Sequence, residues 1–139
     1  MRATAGDRAG AIAVLDQVPG SSSQYVSAQV ASFRASIDRA VGAIAQDNLV
    51  EASDRLDRLK LDAMRQATLS IEMFQAALAW VAERGQVGTG YLFGRRFTER
   101  ELRLGLERAY RVLASLETDT RTRHALVDRA NAARPWTMV

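Results

Sequence analysis

Apolar residues spaced three and four apart run through most of this chain, and that spacing limits what it can fold into. Val26, Val30, Phe33, Ile37, Val41 and Ile44 make one such series. Leu49, Ala52, Leu56 and Leu59 make a second, and Met64, Ala67, Ile71, Phe74, Leu78 and Val81 a third. Leu102, Leu106, Ala109, Leu113 and Leu116 make a fourth. Steps of three and four lay one apolar stripe along one side of a helix with 3.6 residues per turn. No stretch sustains the period of two, rich in β-branched residues, that a strand needs. The two prolines, Pro19 and Pro135, fall at segment ends. The pattern predicts an all-α chain of antiparallel helical hairpins.

Local punctuation divides the chain into about six helices, over 4–18, 22–45, 48–60, 63–84, 98–117 and 120–133. "GSSSQY" (20–25) offers serine caps to the second helix, and "AQDN" (45–48) ends it. "RGQVGTGYLFGRRF" (84–97) carries four glycines and no apolar period, which predicts a loop over 85–97. "TERE" (98–101) has the form of a capping box, with Thr98 accepting from the backbone near Glu101 and that Glu reaching back. "ETDT" (117–120) separates the last two helices. Short connections between amphipathic helices make antiparallel neighbours.

Composition narrows the chemistry. The 139 residues fit one domain, and we read 1–139 as a single helical-repeat domain. With no Cys, disulfides, thiolate metal sites and cysteine nucleophiles are excluded, and the reading is a cytoplasmic one. The longest apolar run, "AALAWVA" (76–82), is far short of the ~20 residues of a membrane-spanning helix. The net charge is +3, and Lys60 is the only lysine among the basic residues. Acids stand four residues before arginines at Glu51–Arg55, Asp54–Arg58, Glu99–Arg103 and Glu107–Arg111, the favourable helical order. Such pairs read as a solvated helix surface.

Catalytic and cofactor signals are missing. One His and no Cys leave no nucleophile–base arrangement, and we expect neither a metal nor a cofactor. Asp54, Asp57 and Asp62 alternate with basic residues and read as surface charge. "GQVGTGYLFG" (85–94) follows a helix, whereas a phosphate loop follows a strand. His124, in "HALVD" (124–128), lacks the neighbours of a kinase catalytic loop and reads as a structural residue of the last helix.

"GDRAGAIAVLDQVP" (6–19) reads like the second helix of a tetratricopeptide unit, with Ala11 and Leu15 in the small–large packing positions. Ala52 with Leu56, and Ala109 with Leu113, repeat the spacing irregularly, so we expect a degenerate tetratricopeptide-like right-handed stack. The chain then begins at the second helix of a unit, which suggests a C-terminal fragment of a longer multidomain protein.

Three stretches carry a resemblance: "GDRAGAIAVLDQVPGSSSQYVSA", "LFGRRFTERELRLGLERAYRVLA" and "LVDRANAARPWT". They resemble the C-terminal tetratricopeptide domain of the actinobacterial serine/threonine protein kinase G family, over about Gly6 to Thr137. The more specific parts are Phe97-Thr98 followed by Leu102-Arg103-Leu104-Gly105, and Leu126-Val127-Asp128 with Ala130-Asn131 and Arg134-Pro135. Residues 46–70 resemble the family least. The resemblance implies repeats that follow a rubredoxin-like metal domain and a kinase domain, pack on the kinase, help organise a homodimer and recruit partners. It implies no phosphotransferase activity for this chain alone.

Two functional readings follow. The first is a non-catalytic interaction, dimerisation and regulatory domain, whose partner is the parent kinase domain, a second copy or a regulatory protein. Its candidate surface comprises Leu15, Val18, Tyr91, Arg95, Arg96 and Trp136, with an apolar edge at Ala11, Val14, Leu15 and Val18 left without a covering helix. The second is an α-helical nucleic-acid-binding regulator using Arg95, Arg96, Arg100 and Arg103 around a capped helix start. Acids interleaved with these arginines weigh against nucleic acid as the partner. A small-molecule sensor with a pocket beside 85–97 is a third class, which no residue pattern favours.

Overall fold

The computed structural model describes residues 7–83, 89–92 and 94–135, and divides them into two compact units. The first holds residues up to Leu59 together with 91–94; the second holds Lys60 to Gly90 and Arg95 onward. The expectation of an all-α chain of antiparallel helices holds.

In the first unit, α1 (Arg8–Leu15) packs on α2 (Tyr25–Ser36), which packs on α3 (Gln46–Arg58). The stripe of α3 is as expected: Leu49, Ala52 and Leu56 are fully buried. Emptying one such position, as in Leu56→Ala, costs about 2–5 kcal/mol through lost transfer energy and the cavity left behind. The stripe of α2 differs. Phe33 is fully buried, but Val26, Val30 and Ile37 are only half-buried, while Gln29, Ser32 and Ser36 are deeply buried. The inner face of α2 is turned from the apolar series because it must supply polar partners to the neighbouring helices.

Helix α2 also ends nine residues before the position expected from periodicity. Asp38 is extended and its carboxylate accepts from the Ala40 N–H at 2.9 Å, which competes with helical pairing. A 3-10 turn (Arg39–Val41) follows, and Gly42 sits at φ 135, a conformation that disfavours any side chain. Gln46 then opens α3 instead of closing α2. The serine caps are likewise displaced. Ser22 accepts from the Gln24 N–H at 3.0 Å, one turn of chain ahead of the helix start, and the cap position Gln24 makes no side-chain cap bond.

In the second unit, α4 (Ala63–Glu83), α5 (Glu99–Leu116) and α6 (Thr120–Ala133) stack in order. Ile71, Leu106, Ala109, Tyr110, Ala130 and Ala133 form their shared core, with Phe74, Leu78, Leu113 and Leu126 packed against it. The ends are set by side chains. Asp62 accepts from the Arg65 N–H at 2.8 Å before α4, and Asp119 from the Thr122 N–H at 2.9 Å before α6. The capping box forms as expected: Glu101 N–H donates to Thr98 Oγ1 at 3.1 Å, and Thr98 N–H donates to Glu101 Oε1 at 3.2 Å.

Between α4 and α5 the expected loop contains two short paired strands, β1 (Thr89–Leu92) and β2 (Arg95–Thr98). Four residues each are too short to show a period. Gly94, at φ 75, supplies the left-handed turn residue.

Candidate functional site

A groove of about 630 Å³ runs along the second unit where α4, α5 and α6 meet. Its floor is apolar, from Leu78 of α4 and Leu106 of α5, with the Tyr110 ring. Its walls are alanines: Ala79 and Ala82 on α4, Ala132 and Ala133 on α6. These small side chains are why the groove exists, since a larger residue at any of them would fill it. The Gln75 amide donates to the Tyr110 hydroxyl at 2.8 Å and fixes the register of α4 on α5.

The rim is charged. Arg103 and Glu99, one helical turn apart on α5, face each other at 3.6 Å. Arg129 of α6 stands on the rim as well. Behind it, Glu107 locks α6 to α5. Its carboxylate accepts from Arg111 at 2.7 Å and from Arg134 at 3.2 Å, and Arg111 also donates to Asn131 Oδ1 at 2.9 Å. The hydrogen bond from Arg111 outweighs the opposing effect of burial, and with Arg134 it holds the Glu107 carboxyl below its ordinary pKa. This lock accounts for Asn131 and Arg134 in the C-terminal motif, while Ala130, fully buried, lets α6 approach.

The first unit carries a buried polar cluster. Arg55 donates to Asp16 at 2.8 and 3.1 Å, to Gln29 at 2.8 Å and to Glu51 at 3.1 Å. Ser32 adds a bond to Asp16 at 2.9 Å. Burial pushes the Asp16 carboxyl up, but the bonds from Arg55, Ser32 and Gln29, with the Arg55 charge, together bring it below its ordinary value. The Glu51–Arg55 pair therefore differs from the solvated surface pair expected, because the Arg55 side chain is only 5% exposed. Arg8, also buried, donates to the carbonyls of Ala35, Ser36, Gly42 and Ala43 at 2.9–3.4 Å. It satisfies acceptors at the end of α2 and ties them to the chain just after the 3-10 turn.

The candidate surface residues fall in different places. Leu15 and Val18 are half-buried at the end of α1 and just beyond it, beside Val14, which is 56% exposed. Arg95 and Arg96 are exposed on β2. Arg95 is committed: it pairs with Glu101 at 3.2 Å and lies 4.1 Å from the centre of the Phe97 ring. The Tyr91 side chain and Trp136 lie outside the described residues. His124 is exposed on α6. Among the described residues no three His, Cys, Asp or Glu side chains gather as a metal site would require, and no helix is long and apolar enough to cross a membrane. Periodicity missed the groove, whose only local signal is alanine where the helices otherwise carry large apolar residues.

Comparison with known proteins places this architecture. The chain is 32% identical over 131 residues to the serine/threonine-protein kinase PknG of Mycobacterium leprae, covering 94% of this chain and 17% of that protein. It is 30% identical over 135 residues to the kinase of the same name from Mycolicibacterium smegmatis, covering 96% of this chain and 18% of that protein. It thus spans less than a fifth of the length of these relatives. The family model of the protein kinase G tetratricopeptide repeat matches residues 1–137. The chain belongs to the protein kinase G tetratricopeptide repeat family.

Proposed function

We propose that this chain is a non-catalytic protein-interaction domain that regulates a serine/threonine protein kinase in the cytoplasm, and that the groove between α4, α5 and α6 receives a segment of its protein partner. The observation that carries the reading is the groove itself: an apolar floor, alanine walls on two helices and a polar rim. A peptide segment needs such a combination, apolar depth for an anchor and polar groups for orientation. Family membership supports the interaction role, and the matched region is the repeat, not the kinase domain.

Panning a random peptide library on the 139-residue chain tests the groove. Recovered peptides are expected to bind the natural chain and to lose affinity for Ala82→Trp and Ala132→Trp, which fill the groove from exposed positions. Peptides that bind all three chains alike would remove the groove from the proposal.

The α1 edge supports a second contact. Val14 is exposed and Leu15 and Val18 are half-covered, an apolar edge suited to the kinase domain or a second copy. Sedimentation equilibrium of the chain and of Leu15→Glu compares them directly. Self-association that survives the substitution excludes this edge as the dimer contact. Nucleic acid suits the surface less well, because Arg95 is committed to Glu101 and the Phe97 ring, and Glu99 and Glu101 stand among the other arginines of this helix start.

A further inference from the structure

The arginines of the second unit differ in how firmly they are held. Arg111 is bonded to Glu107 at 2.7 Å and to Asn131 at 2.9 Å. Arg134 shares Glu107 at 3.2 Å. Arg95 has Glu101 at 3.2 Å and the face of Phe97. On the groove rim the situation is reversed. Arg103 has only Glu99 at 3.6 Å, too long for a good hydrogen bond. Arg129, exposed on α6, has no acid partner among the described residues. Both guanidinium groups that line the groove thus have donors left to offer; Arg65, Arg96, Arg100, Arg108, Arg121 and Arg123 also lack an acid partner among the described residues, but none of them lines the groove.

We infer that the groove recognises an acidic segment of a protein partner: an apolar side chain seated between the alanine walls, flanked by carboxylates that pair with Arg129 and Arg103. The inference rests on the groove reading above and adds the chemistry of its occupant. Arg129 and Arg103 belong to different helices, so a carboxylate-bearing segment touching both would lie across α5 and bridge α5 to α6. A guanidinium binds carboxylate through paired N–H donors, and such bonds are shorter and stronger than neutral ones. Glu99 acts as an internal competitor. It holds Arg103 loosely, and an incoming carboxylate with better geometry displaces it at little cost, because an exposed pair of this kind contributes little. Tyr110 and Gln75 already satisfy each other and keep the floor in place.

The test uses the whole 139-residue chain and three fluorescein-labelled peptides. Each has a leucine flanked on both sides by glutamates, by glutamines or by lysines, and anisotropy reads the affinity. The glutamate peptide is expected to bind about tenfold or more tightly than the glutamine one, with the difference shrinking as salt rises. Arg129→Glu removes this preference, and the double variant Arg103→Glu with Arg129→Glu inverts it in favour of the lysine peptide. The inversion guards against a variant that merely unfolds. If the peptides bind equally and all lose affinity for Ala82→Trp, the acidic-partner inference falls and the groove reading stands. If the glutamate preference survives the double variant, the arginines are not its source and the inference is overturned. If binding is indifferent to both Ala82→Trp and the arginine variants, the groove reading falls and the inference with it.

Discussion

Single residues decide how closely the helices of the second unit approach. Gly105 of α5 lies under Phe74 of α4: a Cβ built there would stand 2.5 Å from the ring's Cζ. Phe74 in turn meets Phe97 edge-on, with ring centres 6.2 Å apart. Gly105→Ala therefore sets two effects against each other. Alanine favours a helix over glycine by about 0.8–1 kcal/mol, whereas forcing the ring aside costs about 1–3 kcal/mol. We expect net destabilisation of about 1 kcal/mol, read as a lower midpoint in urea. The sign should reverse against Phe74→Leu, where the obstructing ring is gone and only the helix preference remains. A Gly105→Ala chain as stable as the natural one would mean that the ring yields freely. Arg8 is a second decisive residue. Arg8→Met keeps the buried stem but strips a donor from each of four carbonyls, of which Ala35 keeps the Asp38 N–H, and a loss of about 2 kcal/mol follows from the acceptors left short of a partner. Hydrogen exchange would show the loss first in the last turn of α2.

At the scale of the element, what was legible in the sequence is what a few adjacent residues decide. The Thr98–Glu101 box needs only a four-residue window, and it forms as read. Thr98→Ala should cost about 1 kcal/mol and loosen the first turn of α5; unchanged protection of the amides near Glu101 would contradict that. The apolar stripes of α3 and α5 were legible for the same reason: Leu49, Ala52 and Leu56, and Leu102, Leu106 and Ala109, are buried as their spacing requires, although Ser53 and Arg55 of α3 are buried beside them. The early end of α2 was not. Its apolar period continues to Ile44, but Asp38 and Gly42 interrupt the backbone within it. The polar cluster was legible only as Glu51 and Arg55, one turn apart. Asp16 and Gln29 come to Arg55 from 39 and 26 residues away, and no local pattern announces that the pair points inward. The groove depends on the register of three helices and was unreadable for that reason, although it is built on alanines in plain view at 79, 82, 132 and 133.

For the whole molecule, these ionised contacts make stability a function of pH. Asp16, Glu101, Glu107 and Asp119 all sit below their ordinary pKa values. The causes differ. Backbone hydrogen bonding at Thr98 leads for Glu101, the Thr122 hydroxyl for Asp119, and the arginine bonds for Glu107, while at Asp16 several partners together overcome burial. A carboxyl whose folded pKa is depressed contributes stability above its unfolded pKa, about 3.9 for Asp and 4.3 for Glu, and loses it as pH falls through the folded value. Stability is therefore expected to be flat near neutrality with respect to these groups and to fall below about pH 4.5. Growing repulsion among 19 basic side chains would produce a similar fall, so the decisive measurement is a difference. Asp16→Asn leaves buried Arg55 with Glu51 and Gln29 but without its bidentate partner. Because the Asp16 side chain is 37% exposed, we expect a loss at pH 7 below the range for fully buried pairs, about 2 kcal/mol. That gap should close as pH falls below the folded pKa of Asp16, where the natural chain also carries a neutral side chain at this position. Added salt should reduce it less than it reduces the effect of removing the exposed Arg95–Glu101 pair. Urea midpoints for both chains from pH 7 to pH 3 would settle it. A gap that stays constant across that range would mean that Asp16 stabilises the first unit by shape and hydrogen bonding alone, with no share from its charge.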